Sequence, residues 1–308
     1  LVEGEKKGNY RVIRNVPIDG LACVALFTNQ NVQDPVLRSI FANKKFRIAL
    51  SLGINREELN ELAFMGFAKP AQISLMESSP YYTPGQEDLG RKYMKYDPKE
   101  ANRLLDEMGL KKGKDGIRMR PDGKRLTIAV SYSFATGYQA DSVEFVANYL
   151  RELGIDVALK YEESALFLTR AQAGLHEIEI SNLMGGFNPF LDPQLFPTGG
   201  LLSYRWAPLY TRWYQSGGTS GEEPKGDFKR LVDIYEEGLR TVEIDKRREL
   251  MEEAIKIHND NLWIIGILTY PGDNMVIKNT MGNVSPGCNR TNDYWIGPVY
   301  PEQLFFKQ

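Results

Sequence analysis

The pattern of apolar and polar positions between residues 44 and 66 predicts two short amphipathic helices placed end to end. In "KKFRIALSLGINREELNELAFMG", apolar residues recur at the i, i+3, i+4 and i+7 spacing of one helix face, up to Gly53. Asn55 then suits an N-cap, and Glu58 completes a capping box. Gly66 is expected to end the second helix. We interpret this bent pair of helices as scaffold.

A further helix is predicted for "YDPKEANRLLDEMGL". Asp97 suits the N-cap, Pro98 the first helical position and Glu100 the third. Gly109 suits the left-handed position that ends a helix, where Leu110 can close a Schellman motif.

Alternating strand and helix patterns follow and predict the core of an α/β domain. The expected strands and helices lie, in chain order, at 126–130 (strand), 141–153 (helix), 155–161 (strand), 164–173 (helix) and 178–180 (strand). This order implies parallel pairing with right-handed crossovers. Further along, helices are expected at 228–239 and 245–257, the second with a cap at Asp245, and "LWIIGIL" is expected to form another strand.

The stretch 185–226 is rich in Gly, Pro and aromatic residues and has no clear period. A long irregular segment inside a compact protein is usually functional. Five of its aromatic residues lie close together in the chain: Tyr204, Trp206, Tyr210, Trp213 and Tyr214. Two interpretations are open: rigid surfaces for a sugar ring or an extended peptide, or a cluster that packs the segment onto the domain.

In an open α/β sheet, ligands bind at the carboxyl ends of the strands. Here those ends are expected at 131–135, at Glu162 and Glu163, and at 182–187. Two of them lead into polar or Gly-rich loops. The architecture therefore favours a ligand cleft over a flat interaction surface.

Length and composition narrow the class of protein. The chain has 308 residues, enough for about two domains, with 42% hydrophobic and 25% charged residues. A net charge of −2 gives no reason to expect nucleic acid as a partner. No apolar run approaches the roughly 18 residues of a membrane span. The first residues lack the pattern of a signal peptide, which favours a cytoplasmic protein or a chain already trimmed.

Residues that commonly carry chemistry are few. We expect the only two histidines, His176 and His258, to be surface residues with satisfied hydrogen bonds. Metal-binding, nucleophile-elbow and phosphate-loop motifs do not occur, so neither a metal nor a cofactor is expected. Cys23 and Cys288 are too far apart for a zinc motif, and a disulfide or two buried thiols both remain open.

Two ordered motifs carry a resemblance to a known family. Phe46, Arg47, Ala49, Leu50, Ile54 and Arg56 match one family motif, and the stretch 96–105 matches the later Tyr-Asp-Pro-x-x-Ala-x-x-Leu-Leu. In these motifs the chain resembles the extracellular solute-binding proteins of ABC importers, family 5, of the oligopeptide-binding type. The stretches "WYQSGGTSGEEP" and "NLWIIGILTYPGDNMVIKNTMGNV" resemble a subgroup of which several members take oligosaccharides.

The resemblance implies a fold and a division of the chain. It implies an α/β, periplasmic-binding-protein-like lobe of type II, with a parallel or mixed sheet flanked by helices. Family members are longer and close two lobes around a ligand, so we expect a C-terminal fragment. Residues 1–27 would lead from the missing first lobe, 28–264 would form the second lobe, and 265–308 would return to the first. An isolated lobe would expose its cleft face, which leaves dimerisation through that surface open.

The implied function is non-enzymatic capture of an oligosaccharide or an oligopeptide for an ABC permease, in the periplasm or on a cell-surface lipoprotein. The expected partners are this small oligomeric ligand, the permease subunits and the missing N-terminal lobe. A hydrolase acting on oligosaccharides in a similar cleft is the alternative. A ligand-sensing domain of a regulator is a third, but the sequence has no DNA-binding or signalling segment.

One departure from the family bears on the ligand. Peptide-binding relatives carry an aspartate after the third strand that pairs with the amino terminus of the peptide. Here "NLMGGFNPFLDPQLF" has no acid until Asp192, and an unpaired buried ammonium costs several kcal/mol. Together with the aromatic cluster, this favours sugars unless Asp192 substitutes. The predicted ligand-binding residues are Tyr132, Asn182, Phe187, Asp192, Trp206 and Trp213.

Overall fold

The computed structural model describes residues 1–16, 20–133, 138–269, 272–284 and 303–307. The strands in these ranges are β1 (Tyr10–Val16), β2 (Gly20–Thr28), β3 (Lys69–Pro70), β4 (Thr127–Tyr132), β5 (Asp156–Tyr161), β6 (Ile178–Met184), β7 (Ile264–Thr269), β8 (Asp273–Lys278), β9 (Met281–Gly282) and β10 (Phe305–Phe306). The helices are α1 (Glu5–Gly8), α2 (Pro35–Ala42), α3 (Lys44–Gly53), α4 (Arg56–Phe64), α5 (Pro98–Glu107), α6 (Tyr138–Glu152), α7 (Ser164–Gln172), α8 (Ser203–Trp206), α9 (Pro208–Gln215), α10 (Asp227–Arg240) and α11 (Ile244–Asn261), with 3-10 turns at Val2–Gly4 and Gln86–Tyr93. Within these ranges, none of the helices combines the length and apolar character that crossing a membrane requires.

Six strands form one mixed sheet in the order β3-β7-β2-β6-β4-β5. β4 pairs in parallel with both β5 and β6, which confirms the pairing predicted from the strand–helix alternation. β2 runs antiparallel to both of its neighbours, β6 and β7, and β3 runs antiparallel to β7. The sheet is therefore mixed because strands from distant parts of the chain join the parallel core.

Helices cover both faces of this sheet. On one face, helices α2 to α6 pack a core that includes Phe41, Phe46 and Leu150. On the other face, α8, α10 and α11 and the loops before α8 pack a second core around Phe27 and Trp206. Because both faces are covered, the central strands bury side chains on both sides, unlike a strand with one solvated face.

The predicted helix ends at 55 and 97 are confirmed. Asn55 accepts a hydrogen bond from the backbone N–H of Glu58 at 3.2 Å, so the predicted N-cap forms, whereas the Glu58 carboxylate accepts from Asn55 Nδ2 and not from its backbone N–H as a full capping box requires. Asp97 accepts from the N–H of Glu100 at 3.0 Å. At the other end of α5, the N–H of Leu110 donates to the carbonyl of Leu105 at 3.1 Å, the bond that defines a Schellman motif.

Two other local expectations were wrong. Helix α11 begins at Ile244 with Glu243 at the cap position, so Asp245 lies in the first turn instead of capping the helix. The stretch 185–226 contains the short helices α8 and α9 and is not irregular throughout. Their short length explains why no helical period was visible in the sequence.

The pairing of β2 with β7 bears on where the boundaries of the predicted second lobe lie. β2 and β7 pair with each other at the centre of the sheet, although boundaries after residues 27 and 264 would assign most of both strands to the flanking segments. β1 and β8 form a separate antiparallel pair outside this sheet. The boundaries remain a prediction, and the pairing favours a lobe that includes 20–269.

Candidate functional site: the carboxyl edge of the sheet

Five strands meet at one edge of the main sheet, which we call the carboxyl edge. The parallel strands β4, β5 and β6 end there, at Tyr132, Tyr161 and Met184. Because β2 is antiparallel to β6 and β7 is antiparallel to β2, β2 begins and β7 ends at this edge. Ligands of open α/β sheets bind outside the carboxyl ends of strands. The carboxyl edge is therefore the candidate site.

Two tyrosines lie side by side at this edge. Tyr132 and Tyr161 are register partners at the last residues of β4 and β5. Their ring centroids are 5.6 Å apart, with the ring planes inclined by 60°. Tyr161 is 53% exposed, and a groove of about 590 Å³ opens beside the pair. Leu62 of α4 and the carboxylates Asp141 and Glu144 of α6 line its other walls.

The chain leaves β6 through a tight turn built on glycine. Gly185 has a φ of 86°, a left-handed conformation that favours glycine. A Cβ at this position would lie 2.9 Å from the carbonyl oxygen of Asp192. Next to it, Ser79 Oγ donates to the carbonyl of Phe187 at 2.7 Å. These contacts hold the loop after β6 against the carboxyl edge.

The carboxylate of Asp192 returns to the start of that loop. Its Oδ2 lies 3.4 Å from the position of a Cβ on Gly185. Gln194 Nε2 donates to Oδ1, and Gln194 Oε1 accepts from the N–H of Leu202 at 2.6 Å. Asp192, which follows the half-buried Asn182 by ten residues in the chain, is therefore held beside Gly185, the first residue after β6.

Glu162, directly after β5, is a buried carboxylate. Burial by itself would raise its pKa, but hydrogen bonds from Lys160, Arg170 and Ser131 outweigh burial and lower it. Ser131 Oγ donates at 3.0 Å and Lys160 Nζ at 3.1 Å. Glu162 is thus held ionised and ion-paired, unlike a general acid, whose pKa must be raised.

Trp206 does not lie at the carboxyl edge. Its backbone carbonyl accepts from the N–H of Gln30, beyond the carboxyl end of β2 and hence at the opposite edge. Its side chain is 0% exposed, and its ring stacks on Trp263 and Phe228 with centroids 5.8 and 6.0 Å away. The expectation that this ring faces a ligand is corrected: it is enclosed by protein and packs the segment onto the domain.

Trp213 lies on α9, which also begins at the opposite edge, where the N–H of Leu209 donates to Asn31 Oδ1 at 3.1 Å. Trp213 is half-buried and accepts from the N–H of Gly218 through its carbonyl at 2.8 Å. The structure therefore places Tyr132 and Asn182 near the carboxyl ends of the neighbouring strands β4 and β6, and Phe187 and Asp192 in the loop after β6, whereas both tryptophans lie towards the opposite edge.

Both histidines are buried, which corrects the expectation that they are surface residues. His176 is 2% exposed and His258 is 0% exposed. Nε2 of His258 donates to the carbonyl of Leu195 at 2.6 Å, and Nε2 of His176 to that of Arg205 at 2.7 Å. Burial lowers the pKa of each imidazole to about 4, so both are neutral structural residues at pH 7.

A buried contact between an acid and an arginine was missed at the sequence level. Glu179, in β6, is 0% exposed, and its Oε1 lies 2.8 Å from Nη1 of Arg205 in α8. Burial raises the pKa of Glu179 to about 8, although the charge of Arg205 opposes this shift. In "HEIEISN" Glu179 alternates with Ile178 and Ile180, a pattern that is also typical of a strand with one solvated face. A second helical layer, which the local alternation does not reveal, covers that face.

Within the described ranges there is no group of three or more His, Cys, Asp or Glu residues arranged to hold a metal ion. Cys23 is half-buried and its Sγ donates to the carbonyl of Leu268 at 3.2 Å. Cys288 lies outside the described residues, so the disulfide stays untested.

Comparison with known proteins shows similarity to one family. Residues 3–200 match the family model described as "Bacterial extracellular solute-binding proteins, family 5 Middle". The solved structure of an oligopeptide-binding protein OppA is similar, with a TM-score of 0.81 and 34% identity, over 100% of this chain and 50% of its own.

Two curated proteins are more distant relatives. The periplasmic alpha-galactoside-binding protein of Rhizobium meliloti is 24% identical over 82% of this chain and 36% of its own length. The nickel-binding periplasmic protein of Escherichia coli K12 is 26% identical over 83% of this chain and 45% of its own length. The chain thus spans less than half the length of these curated relatives.

Proposed function

Because this chain belongs to the bacterial extracellular solute-binding proteins of family 5, we propose that it supplies one of two ligand-binding lobes of an ABC importer's solute-binding protein. The observation that carries the proposal is the carboxyl edge, where five strands begin or end and where four of the six predicted ligand-binding residues belong to β4, to β6 or to the loop after β6. The other lobe would belong to the remainder of a longer protein, as the length of the relatives indicates.

The proposed mechanism is closure of two lobes around the solute. β2 and β7 are adjacent in the sheet, and β1 and β8 pair with each other further along the same two chain segments. Two adjacent chain crossings of this kind suit a hinge. A solute that contacts both lobes stabilises the closed form by its differential affinity, and the permease would then recognise that form.

The proposed ligand is an oligosaccharide or an oligopeptide. The Tyr132–Tyr161 pair offers apolar ring faces and phenolic hydroxyls to either. Asn182 and the loop at Phe187 add polar and aromatic contacts at the end of β6. If the ligand is a peptide, Asp192 is the carboxylate placed to pair with its amino terminus, because its Oδ2 lies beside Gly185.

Several features support binding over catalysis. The family and the relatives named above are binding proteins. The carboxylate of Glu162 at the carboxyl edge is held ionised, and the only acid whose pKa is raised to about 8, among the residues described, is the enclosed Glu179. The hydrolase alternative therefore has no support. The family is extracytoplasmic, and attachment as a lipoprotein is part of the proposal.

Isothermal titration of the full-length protein against a panel of neutral oligosaccharides and short peptides tests the proposal. We expect at least one class to bind, and Tyr161→Leu to weaken that binding, because the ring is exposed at the carboxyl edge. Tyr10→Leu, in β1 and outside the main sheet, is the matched control. Failure of every oligomer to bind the full-length protein would refute the proposed function.

A further inference from the structure

The positive charge of this protein is concentrated in one short segment. Residues 111–125, which we call the basic hairpin, contain seven basic and two acidic residues, a net charge of +5 in a chain of net charge −2. Isolated antiparallel bridges join Lys112 to Arg118 and Met119 to Arg125, and both turns place a glycine at positive φ. The segment is thus folded as two successive tight turns.

A buried arginine holds the basic hairpin rigidly on the domain. Arg118 has a side chain that is only 1% exposed. Its guanidinium donates to the carbonyl of Leu153 and to the side chains of Asp106 and Asn102, each at 2.6 Å. The exposed lysines around it are therefore presented on a fixed frame, which lowers the entropic cost of using them together.

Three acidic residues in or beside the basic hairpin are already engaged by arginines. Asp122 and Asp34 both pair with Arg120 at 2.8 Å, and Asp115 pairs with Arg125 at 2.6 Å. The three lysines of the first turn, Lys111, Lys112 and Lys114, are exposed and form no ion pair with the described residues. Their charge remains available to a partner.

The composition of the exposed surface narrows the class of partner that the basic hairpin could bind. The basic hairpin exposes no large hydrophobic residue. Protein–protein interfaces have an apolar core enriched in aromatic residues and are depleted in lysine, so this surface does not fit one. Clusters of lysine and arginine without apolar anchors fit the diffuse charge of an anionic lipid surface. Electrostatic attraction to such a surface contributes about 1 kcal/mol of binding free energy for each basic residue.

We propose that the basic hairpin is a docking surface for an anionic phospholipid bilayer. The family is extracellular and works beside a membrane-embedded permease, so such a surface is within reach. The hairpin leads into the first residue of β4 and lies beside the start of β5, at the edge opposite the carboxyl edge. Membrane contact there leaves the proposed solute site open, and it would keep the protein near the permease.

Vesicle sedimentation tests this inference on the full-length protein in soluble form. The probes are vesicles of phosphatidylcholine alone and vesicles with about one part in four phosphatidylglycerol. We expect binding only to the anionic vesicles at about 0.1 M salt, and its loss at about 1 M salt, where the Debye length falls to about 3 Å. The triple variant Lys111→Gln, Lys112→Gln, Lys114→Gln should bind at least about tenfold more weakly.

The control is a second triple variant, Lys7→Gln, Lys95→Gln, Lys225→Gln, which changes the net charge equally at exposed lysines elsewhere. It should retain binding within about threefold, because charges beyond a Debye length of the bilayer contribute little. Any one of three results would overturn the inference. These are an equal loss of vesicle binding in both triple variants, equal binding to both kinds of vesicle, or binding to a soluble polyanion but not to vesicles. Solute affinity, measured in parallel, should be unchanged in both variants, so a failure here leaves the proposed function standing.

Discussion

Replacing Glu179 with glutamine is expected to remove a loss of stability that the native protein undergoes as the pH rises from 6.5 to 8. The carboxyl group is fully enclosed, and its Oε2 is buried without a hydrogen-bond partner among the residues described. Burial raises its pKa to about 8, and the attraction of Arg205 offsets only part of this shift. Glutamine has the same shape and resembles the protonated acid, so it removes the titration with little change in packing.

The direction of this change in stability follows from the number of protons that the folded and the unfolded states bind. In the unfolded chain this carboxyl group titrates near its ordinary pKa of 4.5, whereas in the folded protein it keeps its proton up to about 8. Its contribution to stability is complete below the unfolded pKa and is lost as the pH rises through the folded pKa. Each pH unit in the interval is worth about 1.4 kcal/mol, so between pH 6.5 and 8 the contribution of Glu179 alone falls by about 1.5–2 kcal/mol.

The two buried histidines titrate in the opposite sense to this carboxyl group. Burial lowers the pKa of His176 and His258 from 6.5 to about 4, so their contributions have the opposite sign: they are lost as the pH falls from 6.5 towards 4. Above pH 6.5 these two residues are neutral in the folded protein, but in the unfolded chain they are still half protonated at pH 6.5, so the loss of those protons by pH 8 adds about 0.8 kcal/mol of stability. The native protein should therefore be most stable near pH 6.5.

Urea unfolding at pH 6.5 and pH 8, followed by circular dichroism, measures the effect. The native protein should lose about 1 kcal/mol between the two conditions, whereas Glu179→Gln should gain about 0.8 kcal/mol, because only the two histidines then contribute. Glu77→Gln, at an exposed position, is the matched control and should behave like the native protein. A native protein equally stable at both pH values, or a Glu179→Gln variant with the native slope, would refute the argument.

Three further outcomes are expected. Asp192→Asn should weaken the binding of a peptide with a free amino terminus by at least about tenfold in calorimetric titration, and leave the affinity for its acetylated form and for any bound sugar unchanged. Equal losses of affinity for the free and the acetylated peptide would contradict the assigned pairing. Gly185→Ala should lower the free energy of unfolding by more than Gly123→Ala, because both glycines have positive φ but only Gly185 has backbone within 3 Å of a Cβ. Trp206→Leu should cost about 2–4 kcal/mol of stability in urea unfolding and leave solute affinity unchanged. Tyr161→Leu should instead weaken solute binding and leave the stability unchanged. A loss of affinity in Trp206→Leu with little loss of stability would restore its role as a ligand contact.

Features that depend on a few consecutive residues were predicted well. The caps at Asn55 and Asp97 and the Schellman end at Gly109 form as expected, because their hydrogen bonds join residues within one turn of the chain. The parallel pairing of β4 with β5 and β6 follows from the strand–helix alternation. The ligand edge could be predicted for the same reason, since parallel strands place their carboxyl ends together.

Other features were decided only when distant segments met. β2 and β7 enter the centre of the sheet from opposite ends of the chain, and no local pattern records that pairing. The second helical layer encloses Trp206 at the edge opposite the predicted site, although its neighbours in sequence suggested a binding loop.

The sequence by itself therefore determined several of the helices and the parallel pairing of strands, and from that pairing it predicts the edge of the sheet at which a ligand would bind. Tertiary structure alone decided which polar groups are enclosed. Alternation within β6 cannot tell whether the face that carries Glu179 is solvated or covered, because α8, which supplies Arg205, lies some twenty residues later in the chain. Burial, and with it the pKa of an acid or an imidazole, depends on which atoms exclude water, and most of those atoms belong to segments that are remote in sequence.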